Sequence, residues 1–190
     1  MLTLPVRRGV MLARWRPILL FSCGLVGGGI AAATALWVLH GLVGGSHPRV
    51  AVPALGLGSV AVVLRDFGWV SWKLPQRAQQ VPQRVPRRGA VLGPLQFGFE
   101  MGTGVRTHLT STLPYLVALT LLLAADSFAI FLLVGVGFGI GRALFPVLRA
   151  RSANTDRWDE HVLKRYPWIR RACAVMGVAA VAVLAVFLLP

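Results

Sequence analysis

Glu100, Thr103, Arg106, Thr107, His108, Thr110, Ser111 and Thr112 fall within 13 residues, where a glycine-rich stretch gives way to a leucine-rich one. A carboxylate and an imidazole can carry a proton; a guanidinium can hold an anion. On an unbroken helix Glu100, Thr103, Gly104 and Thr107 would share one face and Arg106 and Thr110 another. Glu100 and Arg106 would face each other only if the backbone breaks near residue 106. We expect Glu100, Thr103, Arg106, Thr107, His108 and Ser111 to line a substrate-binding cavity, with Arg106 contacting the anion and Glu100 or His108 coupled to protons. The opposing expectation puts Arg106 and His108 at the outer membrane interface and Glu100 near the inner one, each snorkelling to water.

Other reactive groups are sparse. Cys23 and Cys173 are the two cysteines; without a CxxC they imply no structural disulfide, and redox work would require the pair to meet. Asp66 stands beside Arg65 near a predicted span end, where snorkelling is the leading account of the pair and a gating or proton-relay role the alternative. His40, His47, His108 and His161 are scattered, a poor arrangement for a metal, and no cofactor is expected. HExxH, GxSxG and paired acidic motifs are missing, so enzyme activity has no positive support and no catalytic residue is assigned. Gly137–Arg142 lacks the spacing of a phosphate loop.

These groups sit in a chain of 190 residues that is 56% hydrophobic and 14% charged, with a mean hydropathy of +0.69. Soluble domains carry about 25% charged residues, and disorder needs low hydrophobicity. The chain therefore reads as an all-α, polytopic membrane protein forming a single integral domain. Runs near the roughly 20 residues needed to cross hydrocarbon predict five transmembrane helices at about 17–37, 50–69, 92–125, 128–148 and 172–189. The third is too long for one straight span and is expected to break around Arg106–Pro114. Thr155–Tyr166, with Asp156, Asp159 and Glu160 early and Lys164 and Arg165 late, suits a cytoplasmic amphipathic helix lying on the membrane before Pro167.

Positive charge orients the spans. Of 20 Lys and Arg against 6 Asp and Glu, four precede the first span, five lie in Lys73–Arg88 and eight in Arg142–Arg171. All of these fall on one side, which predicts a plasma (inner) membrane protein with a cytoplasmic N-terminus and an external C-terminus. The bilayer is the first partner, with anionic lipid headgroups meeting the basic cytoplasmic side. A pI near 11.8 does not indicate nucleic acid, because the charge flanks spans and no binding motif is present. Arg outnumbers Lys 18 to 2, a bias suggesting a high-GC bacterial genome. Gly24/Gly28, Gly98/Gly102, Gly135/Gly139 and Gly137/Gly141 each sit four apart, the spacing of closely packed membrane helices.

Phe97-Gly98-Phe99-Glu100-Met101-Gly102, continuing through Leu109-Thr110-Ser111-Thr112-Leu113-Pro114 to Leu119, resembles the broken helices of the DsbD/CcdA family of membrane thiol-reductant conduits. The resemblance covers about 20 residues. It implies a scaffold of half-helices around a cavity, but Ser111 and Thr112 stand where such a break would carry a cysteine, so thiol electron transfer does not carry over. The leading expectation is a small membrane protein of transporter or conduit type, acting as a homodimer or with a partner. The alternatives are a non-catalytic accessory or assembly subunit of a larger membrane complex, and a thiol-redox protein using Cys23 and Cys173.

Overall fold

Apolar runs with no water to satisfy their backbones must hydrogen-bond internally, and helices do so within one segment. A computed structural model describes residues 5–44, 48–72, 89–105, 111–152 and 154–188, the side chains at 5–14, 48, 185, 187 and 188 excepted. Six helices follow: α1 Pro5–Val43, α2 Pro48–Asp66, α3 Leu92–Gly102, α4 Leu113–Ala124, α5 Phe128–Arg151 and α6 Thr155–Leu188. No strand occurs among the described residues. The described residues form an all-helical fold, and among them three segments are long and apolar enough to cross a membrane: Trp15–Val43, Phe128–Arg151 and Thr155–Leu184. Less than a third of each apolar window is buried within the chain, which leaves wide apolar faces for lipid. The other two expected spans do not meet the same standard. The 19 residues of α2 hold Arg49, Arg65 and Asp66, and the third apolar run divides into the 11-residue α3 and the 12-residue α4.

Two boundaries differ from expectation. The expected surface helix 155–166 and the last span are one helix, the 34-residue α6, which continues through Pro167. Proline removes one intrahelical hydrogen bond, a loss that membrane helices tolerate. The N-terminal helix likewise begins at Pro5, ahead of its apolar run, and passes through Pro17.

The chain divides into two compact units. The first comprises Met1–Ala32, Arg77–His108 and Leu133–Ala153, and the second Ala33–Gln76, Leu109–Leu132 and Asn154–Pro190. Long helices α1 and α5 contribute to both.

In the first unit glycine sets the packing. A methyl group at Gly24 or Gly28 would overlap the carbonyl oxygens of Leu95 and Phe99, and at Gly98 or Gly102 those of Phe21 and Leu25. On the α5 side, Gly29 meets Gly135, and Gly139 lies against the Leu25–Val26 backbone. Three of the four glycine pairs are therefore spent on contact within the chain. Gly137 and Gly141 are exposed and meet nothing among the described residues.

In the second unit side chains make the core. Ala51, Leu55 and Val62 of α2, Leu116 and Ala124 of α4, and Ala174 and Val181 of α6 are buried together. Leu113 and Leu119 of α4 pack against them at the edge.

Candidate functional site

The break between α3 and α4 is where sequence reasoning put the chemistry. Helix α3 ends because Gly104 turns to φ +72, a conformation that glycine adopts without strain. The Thr103 hydroxyl donates to the Glu100 carbonyl at 2.8 Å, satisfying an acceptor the ended helix leaves open. Gln96, one turn back, donates to Glu100 Oε1 at 3.1 Å. Thr103 and Glu100 are thus local partners at the end of α3, in the first unit. Arg106, Thr107 and His108 lie outside the described residues, as does Thr110. Ser111 belongs to the second unit, where its partner is a residue 45 positions earlier.

That residue is Asp66, the last of α2, whose side chain is fully buried. Its carboxylate accepts from the Ser111 hydroxyl at 2.6 Å, from the Thr112 backbone N–H at 3.1 Å to each oxygen, and from the Thr112 hydroxyl at 3.1 Å. Arg65 completes the set, with Nη1 at 3.4 Å from Oδ1 and 3.3 Å from the Thr112 hydroxyl. A buried carboxylate without such partners costs several kcal/mol. Snorkelling does not describe this residue: Asp66 turns away from water because α4 presents it with unsatisfied donors. The first turn of α4 contains no acidic side chain, and Thr112 makes no cap of its own. Asp66 supplies the negative charge that a helix N-terminus favours, and Ser111 Oγ accepts from the Leu113 N–H at 3.1 Å.

The far end of α4 is also held from outside. His40 of α1 is buried, and its Nδ1–H donates to the Leu122 carbonyl at 2.9 Å. Its ring stacks on Trp37 at 5.5 Å and lies 5.5 Å from Phe131, which is itself wholly buried. A 12-residue helix is marginal alone; this one is gripped at its N-terminal end by a carboxylate and near its C-terminal end by an imidazole. Sequence reasoning missed both grips, since neither partner lies within 40 residues of α4's nearest contact. The readable signal was an apolar half-helix whose first turn lacked an acidic residue.

The end of α2 needs its own closure. Gly68 at φ +87 allows the Trp69 N–H to reach the Leu64 carbonyl at 2.9 Å and the Gly68 N–H the Arg65 carbonyl at 2.9 Å. The carbonyls of Asp66 and Phe67 accept from Arg170 Nε at 2.9 Å and Arg171 Nη2 at 3.4 Å, both from α6.

The cysteines fall in different units, Cys23 in the first and Cys173 in the second, and both thiols are free and exposed. Among the described residues, no three His, Cys, Asp or Glu side chains gather as a metal site.

No family model matches the chain, and no solved structure matches it. The chain is similar to the methylamine utilization protein MauF of Methylophilus methylotrophus, at 30% identity over 168 residues, or 80% of this chain. It spans 56% of that relative's length.

Proposed function

We propose that this chain is a small multi-pass inner-membrane protein of transporter or conduit type, whose working element is the polar break between α3 and α4. The observation that carries this reading is the buried Asp66 carboxylate at the start of α4, joined to Ser111, Thr112 and Arg65. Ionisable groups inside a membrane protein are costly and concentrate where it works, and half-helices meeting at a break are how many transporters build a site. In this reading Glu100, Thr103, Arg106, Thr107, His108 and Ser111 line the cavity, Arg106 meets an anion, and Glu100 or His108 handles the proton. The N-terminus is cytoplasmic and the C-terminus external, as the flanking arginines favour. The likeness to DsbD/CcdA half-helices supports the scaffold rather than a thiol mechanism. Similarity to a methylamine utilization protein suggests where to look for a phenotype.

The test is growth on methylamine of a host lacking this gene, complemented with Arg106→Ala, Glu100→Ala or Leu133→Ala. Leu133 is an exposed apolar control. Loss of growth with the first two and not the third supports the site; normal growth with all three overturns it.

A second reading, an accessory subunit of a larger membrane complex, is favoured by one observation. Gly137 and Gly141 have close-approach spacing on α5 and no neighbour within 4 Å of an added methyl among the described residues. Stoichiometric co-purification with a membrane partner, together with tolerance of Arg106→Ala, would select it. The thiol-redox reading would be eliminated by full function of the Cys23→Ser, Cys173→Ser double variant.

A further inference from the structure

Charge changes at one level in the second unit. Helix α2 carries no charged residue from Val50 to Leu64 and then ends in Arg65-Asp66, while α6 carries none from Ala172 to Leu188 and is preceded by Arg170-Arg171. The two boundaries meet, because Arg170 and Arg171 hydrogen-bond the carbonyls of Asp66 and Phe67. Trp69, Trp72 and Trp168 surround the junction, exposed by 69%, 40% and 71%. Exposed tryptophan at a charged-to-apolar boundary is the signature of a membrane interface.

The cations at this junction exceed what its anion neutralises. The Asp66 carboxylate is paired with Arg65 and turned toward α4, which leaves the guanidinium groups of Arg170 and Arg171 at the 66–72 turn with no carboxylate partner among the described residues. Arg170 uses Nε on the Asp66 carbonyl, and its terminal nitrogens have no hydrogen bond among the described residues; Nη2 lies 4.0 Å from where a Cβ on Gly68 would sit. Arg171 stacks over Phe67 at 5.7 Å and Trp168 at 5.5 Å, and its Nε is buried without a partner. The outer nitrogens of a guanidinium form a planar fork, and a phosphate oxygen is the acceptor that fork fits best.

We propose that Arg170 and Arg171, beside the Arg65–Asp66 pair, seat the phosphate group of an anionic membrane phospholipid at the turn ending α2, with Trp69, Trp72 and Trp168 against its glycerol and upper acyl region. The site does not depend on the transport reading. Full-length protein is placed in vesicles of phosphatidylcholine containing 10–20% (about one lipid in five to ten) phosphatidylglycerol, either lipid being brominated in its acyl chains. Bromine quenches nearby tryptophan, so brominated phosphatidylglycerol quenches more strongly than the same fraction of brominated phosphatidylcholine. Equal quenching by the two overturns the proposal, and this arm needs no variant to fold. Native mass spectrometry of protein released from the mixed vesicles then reads retained lipid. Each arginine neutralised lowers phosphatidylglycerol retention about fivefold, so Arg170→Gln with Arg171→Gln lowers it about 25-fold. The control pair Arg157→Gln with Arg165→Gln, on the exposed polar part of α6, leaves retention within about twofold. An equal loss in both pairs means diffuse attraction and overturns the seat. Displacement of the lipid by millimolar inorganic phosphate would identify a soluble anion as the ligand and overturn the lipid assignment.

Discussion

Helices α1 and α3 approach most closely where there are no side chains at all, at Gly24, Gly28, Gly98 and Gly102. Helices α2, α4 and α6 meet through Leu55, Val62, Leu116 and Val181, and through charged groups that reach from one helix to the end of another. Lipid competes for apolar surface as well as a leucine does, so membrane helices need something other than hydrophobicity to choose neighbours. The first unit chooses by shape, and the second by supplying the hydrogen bonds that a short helix cannot make for itself. The two should fail differently: one to any addition, the other to a specific removal.

The largest effect is expected from removing a partner. Asp66→Ala strips Thr112, Ser111 and Arg65 of their shared acceptor, and loss of one member of a buried ionic set costs about 3–5 kcal/mol. The thermal unfolding midpoint in detergent should fall steeply; an unchanged midpoint would mean that water replaces the carboxylate. Next comes an addition. Gly98→Ala forces a methyl against the Phe21 carbonyl, and overpacking of this kind costs about 1–3 kcal/mol. Cysteine crosslinking across the α1–α3 seam would report the separation directly, and wild-type crosslinking yield in the alanine variant would contradict the geometry. Ser111→Ala should cost about 0.5–2 kcal/mol, since it removes the acceptor of the Leu113 N–H while Asp66 keeps its bonds to Thr112. The smallest response sharpens the contrast. Gly137→Ala meets open space and should be neutral or stabilising by up to about 1 kcal/mol through helix propensity alone. A destabilisation there seen only in native membranes, and not in detergent, would reveal a neighbour on that face.

Much of this was legible in the sequence where the physics is local. Excess length and the polar run Arg106–Pro114 marked the break, which falls between the end of α3 at Gly102 and the start of α4 at Leu113. Asp126-Ser127 offered two capping side chains ahead of α5, and Ser127 Oγ accepts the Ala129 N–H at 3.3 Å. Glycine spacing announced close packing, though not that α1 would meet α3 and α5 by different sets of residues. Pro167 misled, since a proline that costs one intrahelical hydrogen bond need not end a helix, and α6 runs through it. Asp66 and His40 were misread or passed over for one reason: their meaning lies in the ends of a helix 46 and 82 positions away, and no periodicity carries that distance.

The α1–α3 seam also has an evolutionary consequence. Glycine is the one residue with nothing smaller to become, so every replacement at Gly24, Gly28, Gly98 or Gly102 adds atoms to a place already filled by backbone. In the α2–α4–α6 core, a larger side chain on one helix can be answered by a smaller one opposite. At the seam the opposing surface is a peptide carbonyl, present whatever residue bears it, and no second-site substitution can trim it. Drift in this protein is therefore expected to accumulate through the leucine core and stall at four glycines, whose history should show purging where the core shows exchange.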